Sequence, residues 1–173
     1  VKKYLIYLFL FLLFNCFFNS SLKANPTFVD GTVIDDAGGA FAPEEFPTGL
    51  SFNNDGTKMY IVGTQSDDIQ EFNLTTAFDI STRTYDAGDS YDLDDKEGAP
   101  TSVKFNNDGT KMFMVSHSQD IHEYSLPAFD VSEASFEQTK TLTELSNKPK
   151  DVEFNADGTK MFIFENSDIN IYT

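Results

Sequence analysis

Two histidines, His117 and His122, stand five positions apart and are the only imidazoles in the 173-residue chain. With a third ligand from elsewhere they would suit a transition metal. No other part of the chain offers an equivalent pair, and the intervening residues read as a loop leading into a strand, so both read as ordinary loop and strand positions. Asp86, Asp89, Asp92, Asp94, Asp95 and Glu97 form an acidic run with carboxylate oxygens of the kind calcium takes. Lys96 interrupts its alternation and Gly98 is misplaced for an EF-hand turn, so the run reads as a solvated inter-strand loop. The tetrad Asp-Gly-Thr-Lys occurs at residues 55–58, 108–111 and 157–160. Turn chemistry accounts for it: Gly supplies a positive φ and Asp caps the reversal. Asn73-Leu74-Thr75 matches a glycosylation acceptor, but its place on a strand makes the match coincidental. The chain shows no nucleophile elbow, no Ser-His-Asp order and no glycine-rich phosphate loop, Gly38-Gly39 being a turn. Catalytic, cofactor-binding and metal-binding residues are therefore all expected to be absent.

The elements that carry these residues repeat. Three segments align: PTGLSFNNDGTKMYI from Pro47, PTSVKFNNDGTKMFM from Pro100 and PKDVEFNADGTKMFI from Pro149, at spacings of 53 and 49 residues. The match continues downstream. Asp68-Ile69-Gln70-Glu71-Phe72 pairs with Asp120-Ile121-His122-Glu123-Tyr124, and more loosely with Asp168-Ile169-Asn170-Ile171-Tyr172. Phe78-Asp79-Ile80-Ser81 echoes Phe129-Asp130-Val131-Ser132. Self-similarity at a period near 50 residues marks a repeat architecture.

Each unit reads as four strands. The first, Gly49 to Phe52, sets Leu50 and Phe52 on one face and Ser51 on the other, the period-2 pattern of a strand. Asn53-Asn54-Asp55-Gly56 is a hairpin turn. The second strand, Met59 to Val62, is apolar on both faces, which implies that both faces are covered by neighbouring sheets. A polar loop leads to a third strand, Ile69 to Leu74, and a more polar fourth strand follows near Arg83 to Ala87, and again near Glu137 to Leu142. No helical period stands out after residue 25. The fold class expected is all-β: a partial β-propeller of three four-stranded antiparallel blades.

The run Phe-Asn-x-Asp-Gly-Thr-Lys-Met-[Tyr/Phe], with its downstream Phe-Asp-Ile-Ser, resembles the inner hairpins of the WD-like or YVTN-type β-propeller superfamily across residues 27–173. The Gly-His and Trp-Asp pairs of true WD repeats are missing. Some propeller families resembling this one are lactonases, other hydrolases or oxidoreductases, but fold alone does not transfer a reaction.

Composition sets the address and the partners. The net charge is −16, from 28 acidic residues against 12 basic ones, which works against nucleic acid. Lys2 and Lys3, an apolar run from Tyr4 to Phe18 and a small residue at Ala24 describe a secretory signal. The run is short of the roughly 20 residues of a membrane span, and an uncleaved N-terminal anchor is the alternative. Cleavage after Ala24 would remove three lysines and take the charge to −19. It would also remove Cys16, the lone cysteine, so no intrachain disulfide is expected. The organisation expected is a signal peptide at 1–24, a leading segment or outer strand at 25–46, blade 1 at 47–99, blade 2 at 100–148 and an incomplete blade 3 at 149–173.

Closed propellers hold roughly four to eight blades, so three cannot close a ring alone. Truncation at Thr173, head-to-tail pairing of two chains and a free arc are the three readings. In the second, Phe28 to Val33 would complete a partner's third blade. The function expected is an exported, periplasmic or secreted binding or scaffold module with a protein or glycan ligand. The alternative is a fragment of a lactonase-like or other hydrolase propeller.

Overall fold

The computed structural model describes Glu44 and residues 46–93 and 99–173, all within the unit Ile34–Thr173. The signal-peptide expectation, the proposed outer strand at Phe28 to Val33, and Asp94, Asp95 and Glu97 lie outside the described residues.

The chain forms three antiparallel sheets in succession. The first is β1 (Pro47–Phe52), β2 (Lys58–Gly63), β3 (Asp68–Leu74) and β4 (Arg83–Asp92), paired in that order. The second is β5 (Pro100–Phe105), β6 (Lys111–Ser116), β7 (Asp120–Ser125) and β8 (Ser135–Thr141). The third holds β9 (Asp151–Phe154), β10 (Met161–Phe164) and β11 (Ile169–Tyr172). The two complete sheets have one topology, and the third repeats its first three strands. This is a β-propeller fold, with each sheet a blade. Two short 3₁₀ turns, Ile80–Thr82 and Val131–Glu133, precede the fourth strands. Among the described residues no helix is long and apolar enough to cross a membrane.

The turn between the first two strands is built identically three times. Gly56, Gly109 and Gly158 take φ near +70° (72°, 70° and 71°), the left-handed region where only glycine is unstrained. The preceding Asp accepts the Thr hydroxyl and backbone N–H two residues on, at 2.6 and 3.0 Å in blade 1. Asn53, Asn106 and Asn155 accept the backbone N–H of the motif lysine at 2.8–2.9 Å. Those Thr bonds, hydroxyl first, hold the Asp55, Asp108 and Asp157 carboxyls below the ordinary carboxylate range.

Phe-Asp-Ile-Ser folds back over this turn. Phe78 and Phe129 adopt φ of 59° and 60°, and each donates its N–H to the turn glycine, at 2.8 and 2.9 Å. Their rings occupy the space a Cβ on Gly56 or Gly109 would need. They also lie 5.5 Å from the rings of Phe52 and Phe105. The fourth strands are anchored by aromatics: Tyr85 sits 5.1 Å from Phe72, and Phe136 5.7 Å from Tyr124.

Alternation along the second strand divides the core. Tyr60 and Val62 of blade 1 face blade 2 and are buried with Val103, Met112, Met114 and Val131. Val115 of blade 2 is buried with Val152 and Ile163 of blade 3. Both faces of β6 are thus covered by neighbouring sheets, whereas β2 has blade 2 on one face and packs Met59 and Ile61 with Phe72 and Leu74 of its own sheet on the other.

The acidic run differs from its expected form. β4 extends to Asp92, past the expected end at Ala87, so Asp86, Asp89 and Asp92 lie on a strand and not on a loop. Antiparallel pairing to β3 resumes after a bulge, with Ile69 opposite Tyr91 and Asp68 opposite Asp92. This pairing and the burial of Ile69 against blade 2 carry the strand through a polar sequence.

Candidate functional site

The sheets come closest along their first strands, β1, β5 and β9. Gly49, Ser102 and Asp151 occupy one position of the repeat there, and a Cβ on Gly49 would sit 2.9 Å from Ser102 Cα. Ser102 donates to Asp151 at 2.5 Å across the second blade junction, and Lys104 pairs with Glu153 at 3.2 Å two residues on. A groove of about 380 Å³ runs along these strands, with Ser51, Asn54, Lys104, Asn107 and Glu153 on its wall. It is polar, and its amides are engaged: Asn54 donates to the Asn107 carbonyl at 2.5 Å and Asn107 to the Ala156 carbonyl at 2.7 Å. A bulge after Pro47 and Pro100 frees Thr48 and Thr101 to donate to the Pro100 and Pro149 carbonyls of the next blade, at 2.6 and 3.2 Å.

The motif lysine reaches further than turn chemistry requires. Lys58 pairs with Glu71 of its own third strand at 2.5 Å and donates to the Phe129 carbonyl of blade 2 at 3.1 Å. The Tyr60 hydroxyl donates to the same carbonyl at 2.6 Å, and Glu71 accepts the Val131 N–H at 3.2 Å. Burial pushes the Glu71 carboxyl up, against the bonds from Lys58 and Val131 that pull it down. The phenol of Tyr60 is likewise pushed up, by burial first and then by the Glu71 charge. In blade 2, Lys111 pairs with Glu123, which also accepts from Gln138, at 2.7 Å. There the Lys111 bond, first, and Gln138 hold Glu123 below the ordinary range. In blade 3 the register partner of the motif is Ile171, with no carboxylate.

At the opposite end of the first strands, carboxylates turn inward. Buried Glu44 accepts from Phe46 N–H at 2.7 Å and from the Ser66 hydroxyl at 2.9 Å. The same hydroxyl oxygen lies 2.5 Å from the Asp68 carboxylate, so its one proton is shared between the two acids. Burial raises the Asp68 carboxyl, helped by the charges of Glu44 and Asp92. A Cβ on Gly63 would overlap the Glu44 carboxylate. At the matching position blade 3 carries Glu165, whose own buried carboxylate accepts from Asn147 N–H at 2.6 Å and from the Asn170 amide at 2.9 Å. Burial raises that carboxyl, yet these bonds win and hold it low. Among the described residues no three His, Cys, Asp or Glu side chains are grouped to hold a metal ion.

The histidines are not brought together as a pair. His117 lies on the β6–β7 turn, whereas His122 is buried on β7 with Nδ1 2.8 Å from the Thr139 hydroxyl. Asn73, of the acceptor-like tripeptide, is paired on β3 and donates to Asp89 at 3.2 Å. Glu44, Glu71, Glu165 and the Phe129 carbonyl carry the densest polar bonding, and sequence inspection singled out none of them. The one available signal was a glutamate at the same place in the third strand of two repeats, 13 residues after Lys58 and 12 after Lys111.

No protein-family model matches the sequence, and no curated protein is similar to it. Solved structures are similar in fold. A protein of Bacteroides uniformis provisionally named a 6-phosphogluconolactonase superposes with TM-score 0.56 at 16% identity, over 72% of this chain and 35% of that one. A functionally unknown protein of Desulfotomaculum acetoxidans gives 0.56 at 14%, over 73% and 37%. The β-propeller domain of Cps50 (Swd1) from Myceliophteria thermophila gives 0.51 at 14%, over 73% and 39%. The chain thus spans little more than a third of the length of these propellers.

Proposed function

We propose that the protein is an exported β-propeller module that binds a protein or glycan partner through its loops, without a reaction of its own. The observation that carries this reading is the state of the groove along the first strands. Its polar side chains are spent on blade-to-blade bonds: Ser102 on Asp151, Lys104 on Glu153, Asn54 and Asn107 on backbone carbonyls. Only Ser102–Asp151 sets a hydroxyl against a carboxylate, and the same Asp151 oxygen also accepts the Val152 N–H, so the contact is spent on holding β9 beside β5. Rigid stacked sheets that present loops suit recognition, where geometry and surface chemistry suffice. Export rests on the basic and then apolar N-terminus.

The second reading, a portion of a lactonase-like propeller, is favoured by the provisional naming of two similar structures, both Bacteroides proteins. One experiment separates the two. The full chain is assayed for hydrolysis of 6-phosphogluconolactone and, in parallel, for retention on immobilised polysaccharides and extracellular proteins. Binding without acceleration above the buffer rate supports the module. Turnover above the buffer rate, abolished by Ser102→Ala with the fold unchanged by circular dichroism, would establish the enzyme.

A further inference from the structure

Each blade carries a polar side chain at one matched place on its third strand, and in blade 1 that side chain has no hydrogen-bond partner. In blade 3, Asn170 donates to the buried Glu165 carboxylate at 2.9 Å. In blade 2, His122 Nδ1 lies 2.8 Å from the Thr139 hydroxyl. In blade 1, Gln70 is fully buried, and neither its amide oxygen nor its amide nitrogen makes a hydrogen bond. An amide taken from water with both polar atoms unused is costly, and a small bound ligand is the ordinary remedy.

Strand register gives the surroundings of Gln70. It stands opposite Ile61 of β2 and Ser90 of β4. Asp68, two residues back along β3, shares its face, as alternation requires. Gly63, two residues on from Ile61, shares that face too, and the Glu44 carboxylate sits where a Gly63 side chain would stand. Two carboxylates and an unused amide therefore meet on one face of blade 1. Burial raises the Asp68 carboxyl; Ser66 and then the nearby Gln70 amide draw it back down, against the charges of Glu44 and Asp92. The ion pairs Lys58–Glu71, Lys104–Glu153 and Lys111–Glu123 lie elsewhere, and no described lysine or arginine pairs with Glu44 or Asp68. Blade 3 balances its matching place differently. There a single carboxylate, Glu165, meets the Asn147 N–H and the Asn170 amide.

We propose that Glu44, Asp68 and Gln70 bind a hard divalent cation of the calcium class, with the Ser66 hydroxyl and water completing its shell. Every donor in the set is an oxygen, which suits calcium and not the metals that favour imidazole or thiolate. The ion offsets the two carboxylates and gives the Gln70 amide oxygen a partner. It also ties Glu44, which precedes β1, to β3. Two carboxylates are few for calcium, so the affinity belongs to the weak class, with Kd of order 10⁻⁴–10⁻³ M.

The test is calorimetric titration of the full chain with calcium chloride after treatment with chelator, together with thermal melts in calcium and in chelator. The expected result is one site in that affinity range and a higher melting temperature in calcium. Gln70→Leu keeps the bulk of the side chain without the amide. It folds in chelator by far-UV circular dichroism and weakens calcium by at least roughly tenfold. Gln70→Glu adds a third carboxylate, so it tightens calcium binding and melts earlier in chelator. Asp89→Asn, on β4, leaves the affinity unchanged. No heat and no melting shift at millimolar calcium overturns the proposal and makes a buried water the partner of Gln70. Binding that survives Gln70→Leu, or that Gln70→Glu weakens, overturns it as well. So does loss of binding in Asp89→Asn, which would move the ion to β4. Partner recognition and catalysis do not enter these readings.

Discussion

The junction between blades 1 and 2 and the junction between blades 2 and 3 share a backbone plan but are held by different chemistry. At the first, Lys58, Glu71 and Tyr60 converge on the Phe129 carbonyl and the Val131 N–H in a mostly buried setting. At the second, Phe113 stands where Tyr60 does, and Ser102–Asp151 and the more exposed Lys104–Glu153 pair take over near the groove. Strand pairing and apolar alternation specify a blade, whereas single side chains decide how firmly it is locked to its neighbour.

The widest gap between the junctions is expected at the two matched glutamates. Glu71→Ala would strand Lys58 and the Val131 N–H in a largely dry site, at a cost of about 3 kcal/mol. Glu123→Ala breaks a pair whose lysine is half exposed, at a cost of under about 1 kcal/mol. Urea denaturation of the two variants reads the difference. Equal losses would show that the first junction is no more buried in effect than the second.

Glycine substitutions sharpen the contrast within the turns. Gly109→Ala and Gly158→Ala both force a left-handed alanine, costing of order 1 kcal/mol. The former must also displace the Phe129 ring, whereas a Cβ at Gly158 meets nothing within 4 Å. Gly109→Ala is therefore the larger loss in thermal melts, and equal melting shifts would remove the Phe129 ring from its assigned place.

A smaller effect separates the aromatic positions. Tyr60→Phe loses one buried bond to the Phe129 carbonyl, about 1 kcal/mol. At the matched place Phe113 carries no hydroxyl and its ring lies 4.8 Å from that of Phe154, so Phe113→Leu loses ring packing and no hydrogen bond. Chemical denaturation of both variants checks the asymmetry.

The smallest effect is in pH dependence, and its sign differs between the two glutamates. Glu71 has a raised carboxyl, so its favourable contribution is complete below the ordinary carboxylate range and fades as pH climbs through the raised value. Glu123 is lowered, so its contribution is present above that range and is lost as pH falls through the lowered value. Relative to Glu71→Gln and Glu123→Gln, acidification should therefore strengthen the wild type in the first comparison and weaken it in the second.

The blade plan was legible because it depends on local patterns. Asn-Asn-Asp-Gly fixes a turn, Met59 to Val62 shows its two covered faces, and both recur at matched spacing. The locks were not legible, because their partners come from other repeats. Tyr60 meets a carbonyl 69 residues away, and nothing local to either residue signals the meeting. Gly63 and Glu165 look unrelated in an alignment, yet both places hold a buried carboxylate, supplied in blade 1 by Glu44 and in blade 3 by Glu165 itself. The length of β4 was missed for a similar reason. Asp86, Asp89 and Asp92 read as loop by type, and pairing with β3 overrides that preference.

Carbodiimide coupling followed by peptide mass mapping tests most directly that successive sheets stack as neighbouring blades. The reagent joins a lysine to a carboxylate only when they touch, and Lys104 and Glu153 lie 3.2 Å apart across a blade junction. Lys111 and Glu123, paired within one blade, serve as the internal control. The expected result is an amide between Lys104 and Glu153 in the folded chain that disappears in denaturant. A control link at Lys111–Glu123 with none at Lys104–Glu153 would mean that the second and third sheets do not lie side by side.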